Sequence, residues 1–482
     1  MKKHNPVKTF LSVVSCRFTR WCLRVARRGG TSFPGMVACF FDKKILEVVS
    51  EGMEIIVVTG TNGKTTTCSM LRNAFQEKGI EPLSNVSGAN LLSGITAEFT
   101  SQATLKGKPK KKFAIVECDE AALKHVVPLI HPKVIVVTNL FRDQLDRYGE
   151  VMTTLEQLRK GISLVPETRL CLNADCSLTS SLAKGVPNPV YYYGIGNVHS
   201  DADEDSLSDA KYCINCGTEY KYDYHTYAHL GGFNCPKCGY KRVKPDMEVI
   251  AINSSTSKGS NITIEYTPQH RDKVNLEENV DRMTAEVEVG LPAMYNIYNA
   301  IAAIGAFAAA GWKKEIVFSS LAKINSSFGR MENFTYNGTE IQMILVKNPA
   351  GCNQSLSYLS ALGEDYTAVF CLNDRTADGH DVSWIWDADY EKIAEDPFCK
   401  EIYMSGTRAK DMKVRLKYAG APEERLYIIE NSKKLIKKMT EAKRPVFVLP
   451  NYTAMLDVRA ALGAMTGKKE FWKDQSYVAK RA

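Results

Sequence analysis

At 482 residues the chain is too long for one ordinary core, so two or three domains are expected. Its 44% hydrophobic and 24% charged residues are the make-up of a water-soluble globular protein, and no run of 18 or more apolar residues is present to cross a membrane. The formal net charge of +8 is modest for this length and suits an anionic substrate or an anionic membrane surface.

The first 30 residues carry Val7, Phe10, Leu11, Val14, Phe18, Trp21 and Val25 at helical spacing, with Lys8, Arg17, Arg20, Arg24, Arg27 and Arg28 between them. Two placements stay open. Such a helix can lie on an anionic membrane surface, or it can pack on the main body with its basic face solvated. A secretory signal is not expected, because Arg17 interrupts the apolar region. Gly29-Gly30 and Pro34-Gly35 are read as ending the helix.

The next element organises the chain. An apolar, β-branched run at 54–59 meets Gly60-Thr61-Asn62-Gly63-Lys64-Thr65-Thr66, and a helix-compatible run follows to about Gln76. Strand, glycine turn and helix make a phosphate cradle. Gly60 and Gly63 admit phosphate close to the backbone N–H groups, Lys64 reaches the outer phosphates, and the Thr65 hydroxyl is a Mg²⁺ ligand. Val58 stands where the common spacing has a glycine, so the loop is a shortened variant.

Residues 51–200 alternate strand and helix, with strands at 54–59, 113–118, 133–138, 168–173 and 189–193, which predicts a mostly parallel sheet. Lys106 to Lys112 is expected as an exposed loop, either a solvated turn or a contact for lipid phosphates. Glu117 and Asp119 follow one strand, and Asp143 and Asp146 follow another. Ligands bind beyond the carboxyl ends of such strands, and Glu117 is favoured there as a metal ligand. After an acidic hinge at 200–209 come Cys213-x-x-Cys216 and Cys235-x-x-Cys238, eighteen residues apart. That spacing predicts a Cys₄ zinc ribbon with short strands between the pairs, structural or a docking surface. With four of fourteen cysteines in metal-type pairs and nucleotide chemistry nearby, a reducing cytoplasm is expected rather than a secreted disulfide framework.

The alternating pattern is read as resuming at 247–253 and 261–266. Asn296 and Asn299 then lie on one face near the start of a small-residue helix, where they can receive an adenine or a phosphate. From about residue 327 a second α/β pattern begins. Gly329 to Asn333 is read as a loop presenting Arg330, and strands are expected at 342–347, 367–372, 400–404, 425–429 and 445–449. Polar loops around Asn348, Asn373 to Asp381, Thr407 and Asn451 each follow a strand, so the four are expected on one sheet edge. The domains read as a basic helical segment at 1–50, an ATP-binding domain at 51–325 with the ribbon inserted at 205–245, and a C-terminal domain at 326–482.

Taken together, Gly60 to Thr65, Glu117, Thr138-Asn139 with Asp143 and Asp146, Asn173-Ala174-Asp175, Asn296 with Asn299, and Gly329-Arg330 resemble the Mur ligase superfamily. The Cys₄ insertion and the segment Ala377 to Asp387 narrow the resemblance to the ligase subunits of lipid II isoglutaminyl synthases, the MurT-like branch. The resemblance implies an α/β fold, a central P-loop ATPase domain carrying the ribbon and a C-terminal Rossmann-like domain. It implies ATP, Mg²⁺ and Zn²⁺, with Lys64 and Arg330 stabilising the transferring phosphoryl group and Asn139, Asn296 and Asn299 at the nucleotide. The implied reaction amidates the α-carboxylate of D-glutamate in the peptidoglycan stem peptide through an acyl phosphate. A GatD-like glutamine amidotransferase subunit supplies the ammonia, and Asp381 matches the residue that completes its Cys–His triad. One departure is Gln144, a poor metal ligand where many members carry histidine. Lys160, near the position of a carbamylated lysine, is not assigned that role.

Two other classes remain. An amino-acid-adding Mur ligase would need no partner. A zinc-ribbon ATPase acting on nucleic acid fits the ribbon and the charge, but no aromatic-basic groove is evident. Cys352 in Ala350-Gly351-Cys352-Asn353-Gln354 lacks a nucleophile elbow, so a glutaminase nucleophile is expected on a partner chain.

Overall fold

In the computed structural model the described residues are 5–26, 32–85, 89–142, 151–198, 209–256, 258–267, 283–324 and 330–467. Asp143, Gln144, Asp146, most of the hinge, the side chain of Arg330 and the tail after 467 lie outside them. The chain forms two units that divide near residue 324.

The first unit is built on a nine-stranded sheet: β1 (Glu54–Thr59), β2 (Leu83–Ser84), β3 (Phe113–Glu117), β4 (Val134–Val137), β5 (Arg169–Asn173), β6 (Val190–Ile195), β9 (Met247–Thr256), β10 (Gly259–Tyr266) and β11 (Met283–Val289). A separate hairpin, β7 (Lys221–Tyr227) with β8 (Leu230–Asn234), lies between β6 and β9 in the chain. The sheet order is β11-β10-β9-β6-β5-β4-β1-β3-β2. From β2 to β9 the pairing is parallel, as the alternating pattern predicts. Ile55 to Val58 and Val134 to Val137 are fully buried, the signature of strands covered on both faces. The reading of 247–266 as renewed strand–helix alternation is corrected. β9, β10 and β11 pair antiparallel, and β10 alternates buried and half-buried residues along its length, because one face of this extension is not covered by helices.

Among the described residues, the helices of six or more residues in this unit are α1 (Pro6–Val25), α2 (Phe33–Phe41), α3 (Ile45–Ser50), α4 (Lys64–Glu77), α5 (Leu92–Gln102), α6 (Leu123–Ile130), α7 (Val151–Ser163), α8 (Met294–Ala309) and α9 (Glu315–Leu321). Asn5 caps α1 by accepting from the Val7 N–H at 3.0 Å. Pro34 does not end a helix. It stands in the first turn of α2, where its missing N–H leaves no bond unmade.

α1 packs on the main body, one of the two placements the sequence left open, but it buries Thr9, Ser12, Val13 and Cys16 rather than its aromatic stripe. The Ser12 hydroxyl donates to the Ala38 carbonyl of α2 at 3.0 Å, and Arg17 Nε donates to the Ser101 carbonyl of α5 at 3.1 Å. The predicted apolar stripe therefore faces outward, and the inner face joins small side chains such as Val13 and Cys16 to hydrogen bonds with backbone carbonyls of the helices beneath.

The second unit holds a six-stranded sheet in the order β12-β13-β17-β14-β15-β16, with β12 (Arg330–Tyr336), β13 (Thr339–Ile344), β14 (Tyr366–Cys371), β15 (Cys399–Ser405), β16 (Leu426–Ile428) and β17 (Val446–Pro450). The five strands expected from the pattern are all present, and β13 to β16 are parallel through β17. Among the described residues, its helices of six or more residues are α10 (Pro349–Ser360), α11 (Ala409–Tyr418), α12 (Ser432–Met439) and α13 (Tyr452–Thr466). Met343, Val369 and Val448 pack against Leu435, Met455 and Leu462 from α12 and α13. The loop reading of 329–333 is corrected: Arg330 opens β12, which pairs antiparallel with β13. Asn337 and Gly338 close this hairpin with φ of 52° and 73°, the left-handed pair that an Asn-Gly hairpin turn requires.

Candidate active site

The cradle begins where β1 ends. Gly63 adopts φ 87°, and a Cβ there would lie 2.0 Å from Asn299 Oδ1, so glycine is the residue that fits between loop and α8. The loop is pinned from β4: the Asn62 N–H donates to Asn139 Oδ1 at 2.9 Å, Thr138 Oγ1 donates to the Asn62 carbonyl at 2.7 Å, and the Thr61 N–H donates to the Asn139 carbonyl at 2.9 Å. Asn299 Nδ2 donates to Asn296 Oδ1 at 3.2 Å, so the two asparagines act as one polar face beside the loop. Neither caps α8, whose N-cap is Ala293.

Lys64 and Thr65 begin α4, where the free N–H groups and the helix dipole favour an anion. Thr66 is buried in the same turn. The Thr65 hydroxyl donates to Glu117 Oε2 at 2.7 Å. Glu117 is at the carboxyl end of β3, and its backbone is fixed by Asn85, which accepts from the Glu117 N–H at 2.9 Å and donates to its carbonyl at 2.7 Å. A hydroxyl and a carboxylate this close are a hard-oxygen pair of the kind Mg²⁺ takes beside a phosphate.

Sequence reasoning missed one residue here. Lys64 Nζ ion-pairs with Glu120 Oε1 at 2.7 Å, both side chains nearly buried, and also donates to the Gly60 carbonyl. Burial holds the Glu120 carboxyl above the usual range, against the pull of the Lys64 ammonium. Glu120 thus provides negative charge beside a buried lysine. The signal was present in the acidic run Glu117-Cys118-Asp119-Glu120, three residues beyond the favoured ligand.

The ribbon is a second built site. Cys213, Cys216, Cys235 and Cys238 bring their sulfurs within 4.8 Å of one another, with 3.5 Å between Cys213 and Cys238 and 3.4 Å between Cys216 and Cys235. Tetrahedral zinc thiolates place sulfurs about 3.8 Å apart, so the donor set fits zinc. Tyr220, Phe233 and Tyr240 pack beneath the thiols. The module is tied to the sheet through Asp175, which is fully buried and accepts from Arg242 Nε at 2.7 Å, the Ile195 N–H at 2.6 Å and the Tyr298 hydroxyl at 2.7 Å. Asp175 is an anchor of this unit.

In the second unit the four polar loops do share the carboxyl edge of the sheet. Asn373 is their hub: its Nδ2 donates to Thr453 Oγ1 at 2.9 Å, its Oδ1 accepts from the Thr407 N–H at 2.9 Å, and its carbonyl accepts from Asn451 Nδ2 at 2.6 Å. Asp378 accepts from the Thr453 N–H at 2.7 Å. Asp381 follows on the same loop. Its Oδ1 accepts from the Ser383 N–H at 2.8 Å and starts a short 3₁₀ turn at Ser383–Asp387, the plain capping role a loop carboxylate can have. These bonds from Ser383 lower its pKa, which keeps it ionised at neutral pH. Cys352 is fully buried in α10 against the Tyr390 hydroxyl, and burial pushes its thiol up to about 12, so it is no nucleophile.

The Mur ligase middle domain matches residues 58–234, and the MurT ligase C-terminal domain matches residues 345–455. The chain is 33% identical over 465 residues, 95% of its length, to the lipid II isoglutaminyl synthase (glutamine-hydrolyzing) subunit MurT of Streptococcus pneumoniae, of which 98% is covered. The chain belongs to the MurT family of Mur ligases. The MurT subunit of Staphylococcus aureus strain COL is 31% identical over 93% of this chain and 96% of that protein. Among solved structures, a pseudomurein peptide ligase type C from Methanothermus fervidus (TM-score 0.60, 19% identity, 88% of this chain and 80% of that one) shares the fold. So does MurF from Acinetobacter baumannii (TM-score 0.62, 14% identity, 90% and 80%). Membership of the family implies ATP and Mg²⁺, and the cradle with its Thr65–Glu117 pair fits both.

Proposed function

We propose that the chain is the ligase subunit of a lipid II isoglutaminyl synthase, which converts the α-carboxylate of D-glutamate in the stem peptide into its amide at the cost of ATP. The observation that carries this reading is similarity to MurT subunits along almost the whole chain, with the phosphate cradle and the four cysteines inside the matched length. A carboxylate resists ammonia because oxide is a poor leaving group. Transfer of the terminal phosphoryl of ATP to a carboxylate oxygen gives an acyl phosphate and ADP. Ammonia attacks the carbonyl carbon, the C–O bond to phosphate breaks, and a lost proton leaves the neutral amide and inorganic phosphate. Charge gathers on the phosphoryl oxygens during transfer, where Lys64 and the N–H groups opening α4 act; the part given to Arg330 rests on the family resemblance alone. Thr65 and Glu117 would hold Mg²⁺, which supplies further charge neutralisation there, and Asn139, Asn296 and Asn299 line the nucleotide side.

Ammonia comes from a GatD-like glutaminase, a reading supported by the names of the similar MurT proteins, each a subunit of a glutamine-hydrolyzing synthase. Asp381 completes the triad of that partner. The ATP chemistry belongs in the cytoplasm. The test is the choice of nitrogen donor. ADP release and amide formation on a muropeptide should be driven by ammonium with this chain alone, and by glutamine only when the glutaminase is present. Turnover driven by an amino acid would sink the proposal in favour of an amino-acid-adding ligase.

The Cys₄ cluster holds zinc as a structural ion, with Cys213, Cys216, Cys235 and Cys238 as ligands. Purified protein should contain one zinc per chain. Cys235→Ser should lose it and lower the melting temperature by several degrees, read by elemental analysis and calorimetry. A variant that melts like wild type would remove zinc from the account of stability.

A further inference from the structure

We infer that α1 and α2 form a docking surface for an anionic lipid bilayer, on which the chain lies without spanning it. No helix among the described residues is long and apolar enough to cross a membrane. Yet the outer faces of α1 and α2 carry large apolar side chains in water: Phe18 is 62% exposed, Trp21 60% and Phe40 84%, with Phe10, Phe33 and Met36 beside them in the same two helices. These helices are not loose. α1 is fixed through Ser12 to α2 and through Arg17 and Arg20 to α5, and α2 packs so closely that a Cβ on Gly35 would lie 1.8 Å from the Ser93 carbonyl. The apolar side chains of both helices are therefore held outward by the fold, with Phe18 and Trp21 stacked at 6.0 Å on α1. Exposed large apolar side chains concentrated on two packed helices mark an interaction site.

Charge selects the occupant. The lysine loop at 104–112 packs against the base of α1: a Cβ on Gly107 would meet the Thr9 methyl at 2.5 Å and Val48 of α3 at 3.0 Å. That places exposed Lys106, Lys108 and Lys110 next to the helix pair, together with Lys8 and Arg24 of α1 itself. The acids of these elements are Asp42, Glu47, Glu51, Glu54 and Glu98, and three of them are engaged: Glu98 with Arg20 at 3.0 Å, Glu47 with Lys44 at 3.8 Å, and Glu54 with Lys112 at 3.4 Å and Lys133 at 2.6 Å. An apolar helix face bordered by uncompensated lysine and arginine is the pattern of an interfacial helix on an anionic membrane. An acyl layer beneath anionic headgroups complements the exposed aromatics and the cations at once. The inference stands apart from the amidation chemistry, because the surface is assigned without reference to substrate.

The test is flotation of the full chain with vesicles of phosphatidylcholine, with and without phosphatidylglycerol, none containing substrate. The chain should float with the anionic vesicles and be released by salt. Phe18→Asp/Trp21→Asp/Phe40→Asp should reduce the bound fraction about tenfold or more. It should leave the melting temperature and turnover on a lipid-free muropeptide unchanged, since these side chains are exposed. Lys106→Ser/Lys108→Ser/Lys110→Ser should weaken binding several-fold and flatten its salt dependence. Three outcomes would overturn the inference: no binding to anionic vesicles, equal binding by the apolar triple variant, or loss by that variant of a self-association or of the glutaminase complex. The last would show that a second copy or the partner subunit covers this face.

Discussion

Replacing Lys64 with alanine is expected to reduce ligation from ammonium and from glutamine alike, by at least about 10²–10³-fold, the usual cost of removing one group that stabilises transferring charge. The structure adds a second consequence. Lys64 and Glu120 form a nearly buried pair at 2.7 Å, so the alanine variant leaves a carboxyl with no ammonium. Breaking such a pair costs about 3–5 kcal/mol. Burial already raises the Glu120 pKa with Lys64 present, and without it the shift grows. A carboxyl whose folded pKa is raised contributes stability that is lost as pH rises through that value. The deficit of Lys64→Ala should therefore be small in mild acid and deepen toward neutrality, followed by thermal melts. Lys64→Ala/Glu120→Gln should recover much of the stability and none of the turnover. If the double variant regained ligation, Lys64 would be a structural lysine and the phosphate role would fail.

Asp381→Asn separates the two nitrogen sources. With the glutaminase present, glutamine-dependent amidation should fall on the order of 10³–10⁴-fold, as expected when the orienting carboxylate of a triad is replaced by an amide. Ammonium-dependent amidation should stay within a few-fold of wild type, because nothing in the phosphate cradle is altered. The amide keeps an oxygen that can accept from the Ser383 N–H, so the turn at Ser383–Asp387 should persist. Equal loss from both sources would mean that Asp381 only caps that turn.

The cradle was legible from residues because its signal is local. A β-branched run, two glycines, lysine and threonine specify strand, turn and helix within about a dozen positions, and β1 and α4 fall there. The paired cysteines and the parallel strands of both units were legible for the same reason, whereas the antiparallel β11 and β12 were not. Asn337-Gly338 is an equally local signal of the hairpin that makes 330–336 a strand. The side chain of Arg330 and the positions of Asp143, Gln144 and Asp146 fall outside the described residues.

Local pattern determined where this protein keeps its phosphate loop, its four thiols and its apolar helix stripe. Tertiary structure alone decided what each of them faces. Glu120 reaches Lys64 across 56 positions of chain, Asp175 meets Arg242 across 67, and Cys16 and Arg17 meet α5 across more than 80. A periodicity records which residues share a side of a helix. Which side turns inward depends on the atoms that distant segments bring to it, and for α1 those were the carbonyls of Ala38, Ala97 and Ser101, leaving the aromatic side in water.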